Sequence, residues 1–312
     1  MSVAGVGEFG LIDRVTSRLS YGSTVLLGPG DDAAVVAAPD ARVVASTDVL
    51  VEGRHFRRDW SGAYDIGRRA AAANLADVVA MGADPTALLV ALCVPADAAT
   101  DWVEQLADGL GAEAAEVGAS VVGGDMSASP TLTIAVTALG DLGGRAPVTR
   151  AGARPGDLVA LAGRTGYAAA GFTVLSRGFR TPRLLVEAYR RPEVPYPAGP
   201  QAARLGATAM IDVSDGLLAD LGHVARASGV TVDLTRDAFE VPPQMRDAAQ
   251  ALGVDPYSWL LAGGDDHALV ATFPPTTALP AEWRLVGRVE EGSGVTVDGR
   301  PFDGPGGWDH FR

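Results

Sequence analysis

The sequence predicts a protein of mixed α and β structure in two domains, with its chemistry gathered at the ends of apolar elements. Three observations predict it. At 312 residues the chain is long enough for two domains, each with its own core. Strand-like and helix-like apolar runs alternate from one end to the other. Finally, Asp32, Asp48, Asp77, Asp125 and Asp212 stand where such runs stop, spread over both halves, and element ends are where α/β architectures collect ligands.

Composition narrows the partners. An apolar fraction of 47% and a charged fraction of 20% belong to an ordinary soluble globular protein. No window approaches the apolar length of a membrane span, and the first residues lack the charged and apolar regions of a signal peptide, so the expected location is the cytoplasm. A formal charge of −13 argues against nucleic acid and anionic membrane as partners, because both are bound through basic patches. Lysine is absent, so every basic side chain other than histidine is arginine. That excludes the lysine-bearing phosphate loop of common nucleotide-binding folds and the strand lysine of protein kinases. Phosphate chemistry here must rest on metals, backbone amides and arginine. The lone Cys93 lies in the apolar run Leu88 to Val94 and reads as a small core residue.

In the first half, Leu11 to Val15 has the spacing of a short amphipathic helix. Gly28-Pro29-Gly30-Asp31-Asp32 then opens into Ala33 to Val36, read as a buried strand. Adjacent carboxylates repel unless neutralised, and carboxylate oxygen with water is the ligand set Mg²⁺ prefers. The same residues also make good turn chemistry. Val43 to Ala45 is a strand running into Ser46-Thr47-Asp48, a second acidic end, and His55-Phe56 follows in an arginine-bearing loop where a histidine is either structural or in contact with substrate. Asp65 to Met81 reads as an alanine-rich helix with Asp65 as N-cap and Gly82 as stop. Asn74 and Asp77, three apart, share one of its faces, and Asp77 near the C-terminus opposes the helix dipole. A strand at Leu88 to Val94, a helix from about Asp101 to Val117, and a strand closing on Gly123-Gly124-Asp125 follow, then an alternating strand from Thr131 to Leu139. The Gly/Pro-rich stretch from Ala151 to Asp157 is read as the domain boundary, giving domains 1–148 and 149–312.

The second half continues with a strand (Leu158 to Ala162), a helix (Tyr167 to Ser176), another near Pro182 to Tyr189, and a Pro-rich connector from Arg191 to Pro197. Met210-Ile211-Asp212-Val213-Ser214-Asp215-Gly216 is the next acidic strand end, with helical spacing from Leu217 to Ala227 behind it. Ser214 or Asp215 either caps that helix or joins a site. Gly263-Gly264-Asp265-Asp266-His267 leads into a strand from Ala268 to Phe273, and the chain closes on Trp308-Asp309-His310-Phe311. One acidic end is a turn; five argue for a shared cage of metal ions suited to a triphosphate.

The order Gly-Asp-Asp-Ala-Ala, Ser-Thr-Asp, His-Phe, Asn-Leu-Ala-Asp-Val-Val-Ala-Met-Gly-Ala-Asp-Pro, Gly-Gly-Asp, Thr-Arg-Ala-Gly-Ala-Arg-Pro-Gly-Asp, Ile-Asp-Val-Ser-Asp-Gly and Trp-Asp-His-Phe resembles the thiamine-monophosphate kinase family. That family lies within the aminoimidazole ribonucleotide synthetase superfamily, and the resemblance runs from Gly7 to Phe311. It implies an α+β fold of two domains: an N-terminal α+β domain that binds ATP and Mg²⁺ and forms a barrel across a homodimer, and a C-terminal α/β domain completing the active site. It implies ATP-dependent phosphorylation of thiamine monophosphate to thiamine diphosphate by direct in-line transfer, with several Mg²⁺ ions. By matching motif, Asp32, Ser46, Thr47, Asp48, Asp77, Asp125, Asp212 and Asp215 would hold Mg²⁺. Gly124, Asp125, Arg150 and Ser214 would serve ATP, while His55, Asp265 and Trp308 would contact thiamine monophosphate. No side chain is implied as a covalent nucleophile.

Two positions depart from the family pattern. Asp265 stands where glutamate is usual, one methylene shorter, and Trp308 stands where other members carry another aromatic. The rival readings are another ATP-dependent synthetase or kinase of the superfamily, a metal-dependent phosphatase, and an inactive nucleotide-binding scaffold. A selenophosphate synthetase would be expected to show a reactive cysteine or selenocysteine and a lysine near its N-terminus, and both are absent here.

Overall fold

A computed structural model describes residues 5, 8–29, 33–302, 304 and 307. The chain divides into two compact units, residues 1–78 with 83–144, and residues 79–82 with 145–312.

The first unit begins with helix α1 (Glu8–Thr16) and a small antiparallel pair, β1 (Val25–Leu27) with β2 (Val35–Val36). Its main sheet comprises β3 (Val44–Val51), β4 (Asp84–Val94), β5 (Ser120–Ala128) and β6 (Thr133–Asp141), in the order β3-β6-β4-β5. Only the β4 and β5 neighbours run parallel. Helices α2 (Ala63–Ala80) and α3 (Thr100–Glu116) pack on one face. Period-two burial follows: Ile134, Val136 and Ala138 of β6 are fully buried, while Thr133, Ala135 and Thr137 between them are only partly covered.

The opposite face is open. Val49 and Leu89 are 48% and 38% exposed, and Cys93 is half-buried. The continuous apolar run of β4 therefore does not make Cys93 a core residue, because among the described residues of this unit no layer covers that side of the sheet. Val35 is also exposed, so the predicted buried strand after the first acidic bend is a two-residue surface ribbon. Two further expectations shift. Ser46, Thr47 and Asp48 lie within β3, not beyond its end, and Gly123-Gly124-Asp125 lies within β5, because ladder pairing with β6 and β4 carries these polar segments into the sheet.

Small residues set the distance between α2 and α3. A Cβ on Gly67 would land on the Leu106 carbonyl, and one on Gly109 would land on the Tyr64 carbonyl. Buried Ala70 to Ala73 continue the close-packed surface, and Arg68 reaches Glu113 across it.

In the second unit a six-stranded sheet has the order β12-β9-β11-β7-β10-β8. Its strands are β7 (Leu158–Ala162), β8 (Ala209–Val213), β9 (Thr231–Leu234), β10 (Ala268–Phe273), β11 (Trp283–Glu290) and β12 (Gly294–Val297). Strands and helices alternate in the chain, as an α/β domain implies, yet every pair except β9 with β12 is antiparallel. Around it lie α4 (Tyr167–Ser176), α5 (Arg183–Arg190), α6 (Ala198–Leu205), α7 (Leu217–Ser228), α8 (Pro243–Leu252) and α9 (Pro256–Ala262). Helix α6 starts immediately after the Pro-rich connector. The core holds Met210, Leu269, Phe273 and Trp283, the last two edge to face at 5.2 Å, and the buried indole Nε1 donates to Gln201 at 2.8 Å. All residues of β8 and β10 are buried, so Asp212 sits inside an otherwise apolar edge strand.

Gly109→Val should cost about 1–3 kcal/mol or more of stability in urea unfolding, because the added side chain must push α2 and α3 apart. Stability equal to the parent would show that the helices do not cross at this glycine.

Candidate functional site

In the first unit, strand and helix meet through two clamps. Alternation of β3 turns Ser46 and Asp48 toward α2, where a helix offers side chains three apart on one face. The Ser46 hydroxyl donates to Asp77 Oδ2 at 2.6 Å, and the Asp48 backbone amide donates to Asn74 Oδ1 at 2.9 Å. Asn74 is fully buried, and its amide nitrogen donates to the Ala70 carbonyl at 2.9 Å. The Asp48 side chain is left exposed at the sheet margin, beside the half-buried Asp77. Asp77, awkward near a helix C-terminus, is thus accommodated by a hydroxyl donor from the neighbouring strand.

Thr47 points the other way. Its hydroxyl donates to the Val136 carbonyl at 3.0 Å and meets Thr137 Oγ1 at 3.0 Å. Asp125 shares that open face by register: it pairs with Ala91, Ala91 with Ala135, and Ala135 with Val49. Within one chain, therefore, the sheet separates Asp125 and the Thr47 side chain from Ser46, Asp48 and Asp77. Gly124 lies against the Val90 backbone so closely that a Cβ would overlap the Val90 carbonyl. His55 closes a tight loop after β3, with its ring Nδ1 accepting the Val51 amide at 2.9 Å, which places the ring hydrogen on Nε2.

The second unit carries another acidic group at the end of β8. Asp212 is buried and its Oδ2 lies 3.0 Å from Nδ1 of buried His267. Neither Ser214 nor Asp215 caps α7. Instead Asp220 Oδ2 accepts the Asp215 amide at 3.1 Å and the Gly216 amide at 3.0 Å, tying the loop back to the first turn of the helix. Burial, then the charges of Asp212 and Asp215, push the Asp220 carboxyl up to about 8. Arg150 is exposed, its carbonyl accepts the Ser228 hydroxyl at 3.2 Å, and its charge joins burial in lowering the His223 pKa.

The 263–267 loop runs alongside the 213–216 loop. Asp265 donates its amide to the Ser214 carbonyl at 2.9 Å, and His267 to the Val213 carbonyl at 3.0 Å. Gly264 is required between them, since a Cβ would strike the Ser214 carbonyl. The two adjacent acids then separate. Asp265, at φ 66°, projects to solvent, while Asp266 is buried and its Oδ1 accepts the Ala168 amide at 3.0 Å at the start of α4. Burial raises the Asp266 carboxyl to about 7, and its Oδ2 is buried without a hydrogen-bond partner.

Asp32 and Trp308 lie outside the described residues. Among the described residues no three acidic, histidine or cysteine side chains are gathered into a ready cage. The donors nevertheless fit Mg²⁺: Asp48, Asp77, Asp212 and Asp215 offer hard carboxylate oxygens. Sequence reasoning noted Asn74 but not its hold on Asp48, and it passed over Asp220, Asp266 and His267. Asp220 follows Gly216 by four residues, a spacing within reach of a helix start, while nothing local signals that His267 turns inward.

Residues 30–142 match the family described as AIR synthase related protein, N-terminal domain. The whole chain is similar to the thiamine-monophosphate kinase of Mycobacterium tuberculosis (strain CDC 1551 / Oshkosh), 48% identical over 98% of this chain and 92% of that protein. Its fold is similar to the crystal structure of thiamine-monophosphate kinase from Stenotrophomonas maltophilia K279a, with a TM-score of 0.80 at 34% identity over 94% of this chain and 97% of the other. A structure of AaThiL complexed with AMPPCP and TMP gives a TM-score of 0.82 at 33% identity over 100% of this chain and 99% of the other.

Asn74→Leu should lower stability by about 1–3 kcal/mol, because the Asp48 amide loses its acceptor in a buried setting; unfolding at parental denaturant would argue that water replaces Asn74. Asp266 sets a pH dependence. Its proton is retained in the fold up to about 7 but released near 3.8 in the unfolded chain, so the stability it contributes is complete below about pH 4 and lost as pH rises through 7. Asp266→Asn should therefore gain on the parent between pH 4 and 8, by roughly 4 kcal/mol at most. A stability difference that stays constant with pH would refute the shift.

Proposed function

The chain belongs to the thiamine-monophosphate kinase family, and we propose that it catalyses the family reaction by direct in-line transfer with several Mg²⁺ ions and no covalent intermediate. The enzyme is a thiamine-phosphate kinase that uses ATP to convert thiamine monophosphate to thiamine diphosphate. In the proposed step a phosphate oxygen of thiamine monophosphate attacks the γ-phosphorus of ATP. The new P–O bond forms as the bond to the β,γ-bridging oxygen breaks, and ADP leaves with that electron pair. Positioning and charge compensation are sufficient for this chemistry.

The observation that carries the reading is the donor set: hard carboxylate oxygens held by a half-buried hydroxyl and a buried imidazole, in a chain without a single lysine. Asp32, Ser46, Asp48, Asp77, Asp125, Asp212 and Asp215 hold Mg²⁺ in this proposal, and Thr47 contributes through its main chain because its hydroxyl is engaged across the sheet. Bound Mg²⁺ would supply charge neutralisation on the phosphates and orient them. Gly124 offers close main-chain approach to ATP, aided by Asp125 through its metal. Arg150 brings an exposed guanidinium to the phosphates, and Ser214 adds a polar contact. On the acceptor, His55 presents its Nε2 hydrogen to the phosphate, exposed Asp265 pairs with the aminopyrimidine or the positive charge, and Trp308 stacks on the thiazolium.

The domain roles follow the same proposal: residues 1–148 bind ATP and Mg²⁺ and dimerise, and residues 149–312 supply the remaining groups. The open face of the β3-β6-β4-β5 sheet supports a homodimer closed into a barrel, since a second copy would cover the exposed Val49 and Leu89. Among the described residues no helix is long and apolar enough to cross a membrane, and we place the enzyme in the cytoplasm.

With ATP and Mg²⁺, thiamine diphosphate and ADP should appear in equal amounts with thiamine monophosphate and not with thiamine. Release of inorganic phosphate without thiamine diphosphate would favour a phosphatase instead. Asp265→Ala and Trp308→Ala should raise the KM for thiamine monophosphate, and unchanged values would remove both residues from the acceptor site.

A further inference from the structure

Asp212 is a buried carboxylate in an apolar edge strand, and one residue across the loop determines where its oxygens point. His267 is itself buried, sits at φ 51° in the left-handed region, and donates its backbone amide to the Val213 carbonyl at 3.0 Å, next to Asp212 in β8. Its ring Nδ1 lies 3.0 Å from Asp212 Oδ2. A carboxylate only accepts, so the hydrogen lies on Nδ1. Non-glycine residues adopt left-handed backbone only occasionally, histidine more readily than most, and the strand pairing of Ala268 with Val213 follows directly.

From this geometry we infer that His267 is the positioning residue for Asp212, holding Oδ2 so that the other carboxylate oxygen is presented to a divalent cation. The inference rests on the reading of Asp212 as a Mg²⁺ ligand. An unrestrained aspartate swings between rotamers and meets the ion with an entropic cost, whereas a hydrogen-bonded one is already oriented; groups that orient metal ligands in this way typically matter 10–100-fold in metal affinity. His267 touches neither phosphate nor acceptor in this account, so it acts through Asp212 alone.

Asparagine separates this role from simple packing. Its side-chain N–H overlies the Nδ1 position of histidine and it tolerates left-handed backbone, whereas glutamine carries its N–H near the Nε2 position. The full-length protein is titrated with Mn²⁺ followed by electron paramagnetic resonance, in the presence of ADP, with folded fractions matched by circular dichroism. His267→Gln and His267→Ala should weaken Mn²⁺ binding roughly tenfold or more, His267→Asn should restore most of it, and the Mg²⁺ requirement of kcat should follow the same order while the KM for thiamine monophosphate stays near the parental value. Parental Mn²⁺ affinity in His267→Gln, or equal loss in the asparagine and glutamine variants, would overturn the positioning role. Asp212→Asn is the control for the underlying reading: unchanged Mn²⁺ affinity there would remove Asp212 as a ligand, while weakened affinity there with parental affinity in His267→Gln would sink the histidine inference alone.

Discussion

Repulsion between carboxylates is the constraint on which the rest of this structure depends. Aspartates crowded near buried strand ends oppose folding unless each finds a donor, a proton or a cation. The fold itself supplies the first two. Side-chain donors serve Asp77, held by Ser46, and Asp212, held by His267. Retained protons are favoured on Asp220 and Asp266, where burial is the largest cause. Asp48 and Asp265 are exposed to solvent. What remains is negative potential at defined oxygens, an arrangement that suits Mg²⁺ and the phosphates it accompanies.

The supporting architecture follows from this requirement. In the first unit, small residues let α2 and α3 approach closely enough to form a rigid layer, and from that layer Asn74 and Asp77 reach the strand carrying Ser46 and Asp48. In the second, glycine at 264 lets two loops lie backbone to backbone, so one strand end can present Asp212 while the next loop supplies His267 and Asp265. Hydrogen bonds to main-chain groups give these loops fixed positions without positively charged side chains. That arrangement is consistent with a protein that contains no lysine and uses several of its arginines in surface pairs.

Much of this was legible in the chain. Helix Tyr167–Ser176 and strands Leu158–Ala162 and Ala268–Phe273 have the limits that periodicity assigns them, because each is a short apolar run bounded by glycine, proline or polar loops. Polar residues inside strands were less legible. Ser46 to Asp48 and Gly123 to Asp125 look like strand ends locally, yet ladder pairing carries both segments inside the sheet. Periodicity also treats Leu88 to Val94 as buried throughout, whereas burial of the second face depends on a layer that the described residues of this unit do not provide.

The sequence by itself determined the chemistry: which residue types are available, the absence of lysine, and the spacing of acidic motifs that marks the family from end to end. Those properties are local, set by residue identity and short-range backbone preference. Tertiary structure alone decided the fate of each acid. Asp265 and Asp266 are neighbours of the same type, yet one faces solvent and the other is buried against the start of α4, because the left-handed turn at Asp265 rotates successive side chains in different directions. Likewise Thr47 and Asp48 part to opposite faces of one strand, and only the pairing of that strand with β6 establishes which face meets the helices.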